Sequence, residues 1–341
     1  MARLNELYIA TRTRNIEDAD TENAPTLLVS RGAQDLFLAP LDFDMDGLGA
    51  GRAAVFRIDV ADQALDSENL VLRLLASGDD AWAPEQIIAW GIAGRLPDVR
   101  VVPLGALIDL ATPLTASSAG TWLSTDSSEG VAELLIRPVG QGRSGTRAWR
   151  MIVISATDQY PNMFPGGPGP GGDASDTGTN GPVTLQAGGP GRLLMSYMLP
   201  KTPQGDLAQG HANFYLTDLA APFSRADLAG GQFTLTIHSD DWWVPDYFAV
   251  FGLDTTFGQP NALIPFVHSP AIALERMSTD PSEGWHSNGL PTAQVITPHP
   301  FPPNVGGDLS GGLVSARQLN DKAGSRSHSD LPVLRASRKR K

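Results

Sequence analysis

Two acidic segments of nearly the same sequence could hold a cation. One runs from Asp79 to Gly91 and the other from Asp240 to Gly252. Both read Asp-Asp-x-Trp-x-Pro-acid before an apolar run that ends on an aromatic residue and glycine. Carboxylates on a flexible loop are the oxygen ligands that calcium prefers. The hypothesis is therefore a calcium site in each copy, with the candidate ligands Asp79, Asp80, Glu85, Asp240, Asp241 and Asp246.

The same segments also suit a purely structural turn. Aspartate accepts hydrogen bonds from backbone amides two residues further on, and proline presets the path of the chain. A tryptophan can close the end of a β-sandwich while its N–H finds a partner. The sequence leaves the metal site and the turn open as alternatives, and calcium is the only cofactor that it suggests.

A second repeated element contains serine and acids but no repeated base. Residues 124–130 and 278–284 both follow Ser-Thr-Asp-x-Ser-Glu-Gly, and only the second copy has a histidine nearby, His286. A nucleophilic serine needs a base within reach. The six histidines show no zinc-binding spacing, and no glycine-rich stretch continues as a phosphate loop. We therefore predict a hydrogen-bonded loop here, no catalytic residues, and a protein that is not an enzyme.

Two further features suggest contacts with partners. Trp242 precedes Trp243 where the first copy has Ala81, so one aromatic ring is left for a glycan, a lipid, the other half of the chain or another chain. The chain also ends on a run of cations, which suits either a solvated tail or an arm that docks on an acidic neighbour. The candidate interaction residues are Trp242, Arg338, Lys339, Arg340 and Lys341.

The two motifs occur in the same order in each half of the chain. A weaker match, between Leu7–Thr11 and Val153–Thr157, precedes them. A repeated order of motifs indicates duplicated structural units. The predicted divisions are a module at 1–145, a module at 146–302 with a glycine- and proline-rich loop at 164–181, and an extended arm with a basic end at 303–341.

Local patterns around the motifs are those of β-strands. Ala54–Val60 alternates apolar and polar residues, and the apolar runs Ile87–Trp90 and Phe248–Phe251 suit buried strands. Val99–Leu110 fits either a buried strand or a short helix. The chain has 36 glycines and 27 prolines, which helices avoid. The predicted fold class is all-β, with two tandem homologous antiparallel β-sandwich modules and an extended C-terminal arm.

Charge and composition exclude several classes of partner and compartment. A net charge of −12 disfavours general binding to nucleic acids. No apolar run approaches the roughly 20 residues that cross a bilayer, and the first residues lack the apolar core of a signal peptide. The absence of cysteine excludes disulfides and thiolate ligands. We expect synthesis in the cytoplasm without a signal peptide, with a virion or a released particle as a further location.

The order of these segments resembles that of the PLAT (lipoxygenase homology) family. The matching segments are Tyr8–Thr11, Phe56–Val60 and Leu70–Ile88 in the first half, and Ile152–Thr157, Phe214–Leu219 and Phe233–Val250 in the second. The chain departs from the family at Pro84 and Pro245, and its Ser-Thr-Asp element lies beyond the usual end of the domain. The resemblance implies antiparallel β-sandwiches that bind membranes, partner proteins or calcium and do not catalyse a reaction.

Two functional hypotheses follow. The first is a non-enzymatic structural or adaptor component of a larger assembly, such as a virion or a tail, which contacts other protein chains or further copies of itself through the arm. The alternative is a calcium-dependent PLAT-like module that binds a membrane, a glycan or a protein. Neither hypothesis requires a transmembrane segment or nucleic acid.

Overall fold

Strands dominate the part of the chain that the structure describes. This computed structural model describes residues 2–41, 48–94, 99–108, 122–157, 178–201, 207, 211–241, 243, 245–255, 260–270, 277–280, 293–296 and 336–337. Two short 3-10 helices lie at Ala61–Gln63 and Ala226–Leu228. The strands are β1 (Leu4–Thr13), β2 (Thr26–Arg31), β3 (Gln34–Pro40), β4 (Ala53–Asp59), β5 (Leu70–Leu75), β6 (Pro84–Ala93), β7 (Arg100–Ile108), β8 (Glu133–Pro138), β9 (Gly140–Gln141), β10 (Arg147–Thr157), β11 (Val183–Gly189), β12 (Arg192–Met198), β13 (Ala212–Ser224), β14 (Gln232–Ile237), β15 (Pro245–Asp254), β16 (Ala262–Pro270), β17 (Ala293–Ile296) and β18 (Ala336–Ser337). The predicted all-β fold class is confirmed.

Two sets of strands share one connectivity. The first set contains the four-stranded sheets β3-β2-β5-β8 and β7-β6-β1-β4, and the second contains β12-β11-β14-β17 and β16-β15-β10-β13. Pairing of β8 with β7 and of β4 with β13 links three of these sheets, together with β9 and β18, into one continuous fourteen-stranded sheet. Substituting β10–β17 for β1–β8 in chain order converts one set into the other. Neighbouring strands within each of these four sheets are antiparallel. The module boundaries at residues 145 and 302 stay predictions.

Side chains of the inner sheets point alternately into two different cores. On β1, Ile9 packs into the core of the first set, whereas Tyr8 faces the opposite way. On β10, Val153 packs into the core of the second set, and Ile152 faces the first set. A third core therefore forms where β7-β6-β1-β4 and β16-β15-β10-β13 pack face to face. The described strands are arranged in four layers, and the central strands of the two inner layers are buried on both sides over most of their length.

Aromatic rings fill the third core. Tyr8 stacks against Trp90 with ring centroids 5.4 Å apart and against Tyr247 of the second set at 5.8 Å, and Trp90 also contacts Phe251 at 5.1 Å. The Tyr8 hydroxyl donates to Glu6 Oε2 at 2.8 Å. Burial raises the pKa of Tyr247 well above its ordinary value, so this ring stays neutral between the sheets.

An approximate two-fold axis relates the two halves. Ala53 lies opposite Arg12 on β1, and Ala212 lies opposite the equivalent residue of β10, Ala156. These two alanines also pair with each other where β4 meets β13. A residue that pairs with its own equivalent is the mark of an isologous contact, as in a symmetric dimer. Arg12 strengthens this joint, since its Nη1 donates to the carbonyl of Phe214 at 3.3 Å.

The predicted match of Leu7–Thr11 with Val153–Thr157 is wrong by two residues. Tyr8 and Ile152 lie opposite equivalent residues of the repeated acidic motif, on β6 and β15, so Tyr8 corresponds to Ile152. A shift of two residues keeps every side chain on its own face of the strand. The alternation of apolar residues therefore could not reveal the error.

The segment that fitted either a strand or a helix forms strand β7. Pro103 on β7 and Pro265 on β16 lie at equivalent irregularities, where the pairing with β6 and β15 shifts register. Proline lacks the N–H that a ladder needs and is tolerated where the ladder is interrupted. An apolar residue flanks each proline on both sides, which is a further repeated signature of the duplicated unit.

The end of the chain returns to the first set of strands. Strand β18 pairs antiparallel with β4, with Ala336 opposite Ile58 and Ser337 opposite Arg57. Residues 303–335 and 338–341 of the predicted arm lie outside the described part, as does most of the glycine- and proline-rich loop. Among the residues that are described, no helix combines the length and apolar character needed to cross a membrane.

Replacing Ile154 by aspartate tests the third core. Ile154 is fully buried between the two sets, and an uncompensated buried charge costs about 3–5 kcal/mol. We expect scanning calorimetry to show one transition in the parent protein and two in Ile154→Asp, because each set keeps its own core. The matched control is Val153→Ala, which opens a cavity in the second core and should lower the midpoint without splitting the transition. Parent-like unfolding of Ile154→Asp would mean that the two inner sheets are not in contact.

Candidate functional site

The repeated acidic motif forms the connection between the two sheets of each set. We call residues 78–83, between β5 and β6, the first acidic turn, and residues 239–244, between β14 and β15, the second acidic turn. Each turn carries the chain from an outer sheet to an inner one. Several polar groups of the two turns have equivalent hydrogen-bond partners.

One aspartate in each turn accepts hydrogen bonds from a neighbouring loop. The carboxylate of Asp80 accepts the backbone N–H of Glu22 at 2.6 Å, and its carbonyl accepts the hydroxyl of Thr21 at 3.1 Å. In the second acidic turn, the carboxylate of Asp241 accepts the backbone N–H of Asn180 at 2.7 Å. Its carbonyl accepts the hydroxyl of Thr179 at 3.3 Å. These contacts are those of a structured turn, in which the carboxylate caps backbone amides.

A buried tryptophan anchors each turn to the inner sheet. The indole N–H of Trp82 donates to Thr13 Oγ1 at 2.9 Å, and the hydroxyl of Thr13 donates to the carbonyl of Leu48 at 3.0 Å. The indole of Trp243 donates in the same way to Thr157 Oγ1 at 3.0 Å. Both tryptophans are almost completely buried. Each indole thus closes the end of a core while its polar atom remains satisfied.

The Ser-Thr-Asp element packs directly against the acidic turn in each half. The hydroxyl of Ser124 donates to the carbonyl of Asp79 at 2.9 Å, and that of Ser278 donates to the carbonyl of Asp240 at 2.8 Å. The backbone of Trp82 exchanges two hydrogen bonds with Leu123, and Trp243 does so with Met277. The two motifs are therefore parts of one structural unit, and both serine hydroxyls donate to backbone carbonyls rather than to a base.

Asp126 lies at the exposed tip of the first Ser-Thr-Asp element. Its Oδ1 accepts the backbone N–H of Ser128 at 2.8 Å and the hydroxyl of Ser128 at 2.7 Å. These hydrogen bonds favour the ionised form and hold the pKa of Asp126 below its ordinary value. The loop therefore presents a fixed negative charge at neutral pH.

The predicted metal ligands are only partly brought together. Asp79 and Asp80 are adjacent, but the carboxylate of Glu85 forms an ion pair with Arg12 at 3.2 Å. In the described part of the chain, no three His, Asp or Glu side chains lie close enough together to hold a metal ion. Glu85 is thus engaged by Arg12, and a calcium site at Asp79, Asp80 and Glu85 stays a prediction. The side chain of Asp246 lies outside the described residues, and the calcium site at Asp240, Asp241 and Asp246 stays a prediction as well.

The predicted interaction residues are not located. Trp242 and the basic end, Arg338 to Lys341, lie outside the described residues. Their role as contacts for a partner stays a prediction.

Sequence reasoning missed the residues that hold the acidic turns in place. Thr21 and Thr179 supply the neighbouring loop, and Thr13 and Thr157 accept the indole protons. Thr21 and Thr179 each precede a proline, Pro25 and Pro182, but the number of residues between threonine and proline differs by one. The two segments therefore do not align as a repeat. The slipped match of β1 with β10 also concealed the correspondence of Thr13 with Thr157.

In both halves, the acidic turn contacts the neighbouring loop at a glycine. The glycine lies in the turn in the first half and in the loop in the second. A Cβ atom added to Gly78 would clash with the side chain of Asn23, and a Cβ added to Gly181 would clash with Ser239. Gly78 corresponds to Ser239, because both carbonyls accept the N–H of the equivalent threonine of the Ser-Thr-Asp element. Asn23 likewise corresponds to Gly181, because each N–H binds the equivalent loop threonine. Space at this contact therefore admits only one of the two side chains.

Comparison with known proteins gives no family. No protein-family model matches the chain, and no curated protein matches it. Among solved structures, the alpha toxin from Clostridium absonum matches with a TM-score of 0.29 and 15% sequence identity, over 40% of this chain and 32% of the toxin chain. The match thus spans about a third of the toxin. A TM-score of this size does not establish a common fold, and the PLAT resemblance stays a prediction.

Two substitutions in the second half test the contact between Gly181 and Ser239. Gly181→Asn introduces the equivalent first-half residue, whose side chain would collide with the Cβ of Ser239. Such overpacking costs about 1–3 kcal/mol. We expect urea unfolding to show this loss for Gly181→Asn. The double variant with Ser239→Gly should recover most of it, because it reproduces the pair found in the first half. Additive effects of the two substitutions would contradict the proposed contact.

Proposed function

We propose that this chain is a non-enzymatic structural or adaptor component of a larger protein assembly, such as a virion, a tail or a similar particle. The observation that carries the proposal is strand β18. After β17, the chain continues for the length of residues 297–335 and then adds β18 to the edge of β4. Adding a strand to a sheet edge is a common way in which one chain attaches to another.

The packing supports a load-bearing role. Three apolar cores connect the four layers of the described strands, and the inner sheets contribute side chains to two cores each. Close-packed protein interiors deform little and transmit strain. A block of this kind suits a component whose outer faces must keep a fixed distance from one another.

The repeated polar groups support the non-enzymatic part of the proposal. The hydroxyls of Ser124 and Ser278 and the indoles of Trp82 and Trp243 take part in hydrogen bonds that hold each turn to its sheet. The same bonds recur in both halves. A catalytic site needs one poised group, whereas a stabilising role explains why the whole network is present twice.

Native mass tests the proposal directly. We expect light scattering after size exclusion to give a defined oligomer or polymer for the full chain, and a smaller species for a chain that ends at residue 303. The physical reason is that truncation removes β18 and the basic end together. A control that replaces only Arg338, Lys339, Arg340 and Lys341 by serine separates the strand from the charges.

Each outcome bears on the proposal. Loss of assembly in the truncated chain but not in the serine control would assign the contact to the strand, and loss in both would assign it to charge. A full chain that stays monomeric at every concentration would contradict an assembly role.

A calcium-dependent PLAT-like module, which binds a membrane, a glycan or a protein, is the second candidate. A sequence pattern outside the acidic turns favours it. Asp42, Asp44 and Asp46 alternate and are followed by Gly47, which is the spacing with which calcium loops of the Asp-x-Asp-x-Asp-Gly type begin. These residues join β3 to β4 and lie outside the described part.

Calcium titration distinguishes the two possible locations of such a site. A ligand that binds only the folded state raises stability by about 2.7 kcal/mol at a hundred times its Kd. If the loop holds the ion, Asp44→Asn should abolish the calcium-dependent rise in melting temperature, and chelation should reverse the rise in the parent. If the acidic turns hold it, the double variant Asp80→Ala and Asp241→Ala should abolish the rise instead. If calcium does not change the melting temperature of the parent protein, the calcium-dependent module is contradicted.

A further inference from the structure

Among the described strands, β13 covers little of the second edge of β4, and a short strand pairs further along that edge. One edge of β4 pairs with β1 along its full length. On the other edge, β13 pairs only at Ala53, and β18 pairs at Arg57 and Ile58. An unpaired edge presents backbone N–H and C=O groups that readily take up another strand. The described structure thus contains both a strand acceptor and the strand that fills it.

The connecting chain is longer than the contact within one chain requires. Strand β17 belongs to the outer sheet of the second set and β4 to the inner sheet of the first, which separates them by two sheet spacings, about 20 Å. The length of residues 297–335 could span up to about 130 Å when extended. Covalent length therefore does not confine β18 to the β4 of its own chain.

Exchange between copies would leave the contact itself unchanged. The same backbone hydrogen bonds form whether β18 comes from the same chain or from a neighbour, as in domain swapping. The balance is then set by effective concentration, which for covalently joined binding segments is at most roughly millimolar. Copies held side by side in an assembly experience a local concentration of comparable size, so the exchanged form can compete there.

We propose that β18 of one copy adds to the β4 edge of a second copy, and that this exchanged strand links neighbouring copies in the assembly. The inference rests on the proposed function and names the contact through which it acts. The acceptor is the edge of β4 at Arg57 and Ile58, and the donor is the segment around Ala336 and Ser337 of the neighbouring chain.

Disulfide trapping between two single-cysteine variants tests the exchange, because the chain has no cysteine of its own. Directly opposed residues of antiparallel strands have Cα atoms about 4.5–5.5 Å apart, which suits a disulfide. Arg57→Cys and Ser337→Cys are opposed in this way, and Arg57 is partly exposed. One variant carries a size tag, the two are mixed at high concentration, and mild oxidation follows. A disulfide that joins the tagged to the untagged chain can form only between copies.

We expect the mixed dimer to be the main covalent product and its yield to rise with protein concentration. The control mixture combines Ser337→Cys with Ser196→Cys, an exposed residue of β12, and should lose the mixed dimer. A chain that carries both Arg57→Cys and Ser337→Cys reports the contact within one copy. If that chain closes on itself at every concentration while the mixture yields no dimer, exchange is overturned. If neither disulfide forms, the pairing of β18 with β4 is itself wrong.

Failure of the exchange is distinguishable from failure of the proposed function. A chain whose native mass depends on residues 304–341, but which gives no mixed dimer, would still be an assembly component that uses its arm at another surface. A chain that is monomeric with and without these residues would lose both proposals.

Discussion

Burial on both faces of the central strands of the two inner sheets is the constraint on which the rest of the structure depends. Every residue of β6 from Gln86 to Ala93 is buried, and so is every residue of β15 from Tyr247 to Leu253. Such strands cannot alternate between apolar and polar side chains, because neither face meets water. Just before these strands begin, the indole N–H groups of Trp82 and Trp243 are satisfied by the hydroxyls of Thr13 and Thr157.

The acidic turns follow from that arrangement. A chain that passes from an outer sheet to a fully buried inner sheet must turn at the end of the core and leave no backbone group unsatisfied. Asp80 and Asp241 accept amide hydrogens from the neighbouring loop, and Ser124 and Ser278 bind carbonyls of the turn. Duplication of the whole network indicates that the constraint is structural in both halves.

The sequence was sufficient for the fold class and for the duplication, because acids, tryptophan and proline at fixed spacing are rarely repeated by chance. It was insufficient wherever the signal has period two, as in the slipped match of β1 with β10, since a shift of one full pleat changes no face. It could not show that the Ser-Thr-Asp element packs on the acidic turn, because that contact joins segments far apart in the chain. Nor could it show that Glu85 forms an ion pair with Arg12, when the sequence suggested that it joins Asp79 and Asp80 around a cation.

Gly78 and Gly181 lie on opposite sides of equivalent contacts in the two halves. The contact between Asn23 and Gly78 in the first half is the equivalent of the contact between Ser239 and Gly181 in the second. An asparagine and a serine cannot face each other there without collision. The route from one arrangement to the other that avoids the collision passes through a glycine on both sides. Either arrangement can therefore be reached from a pair of facing glycines by adding one side chain, on one side of the contact or on the other.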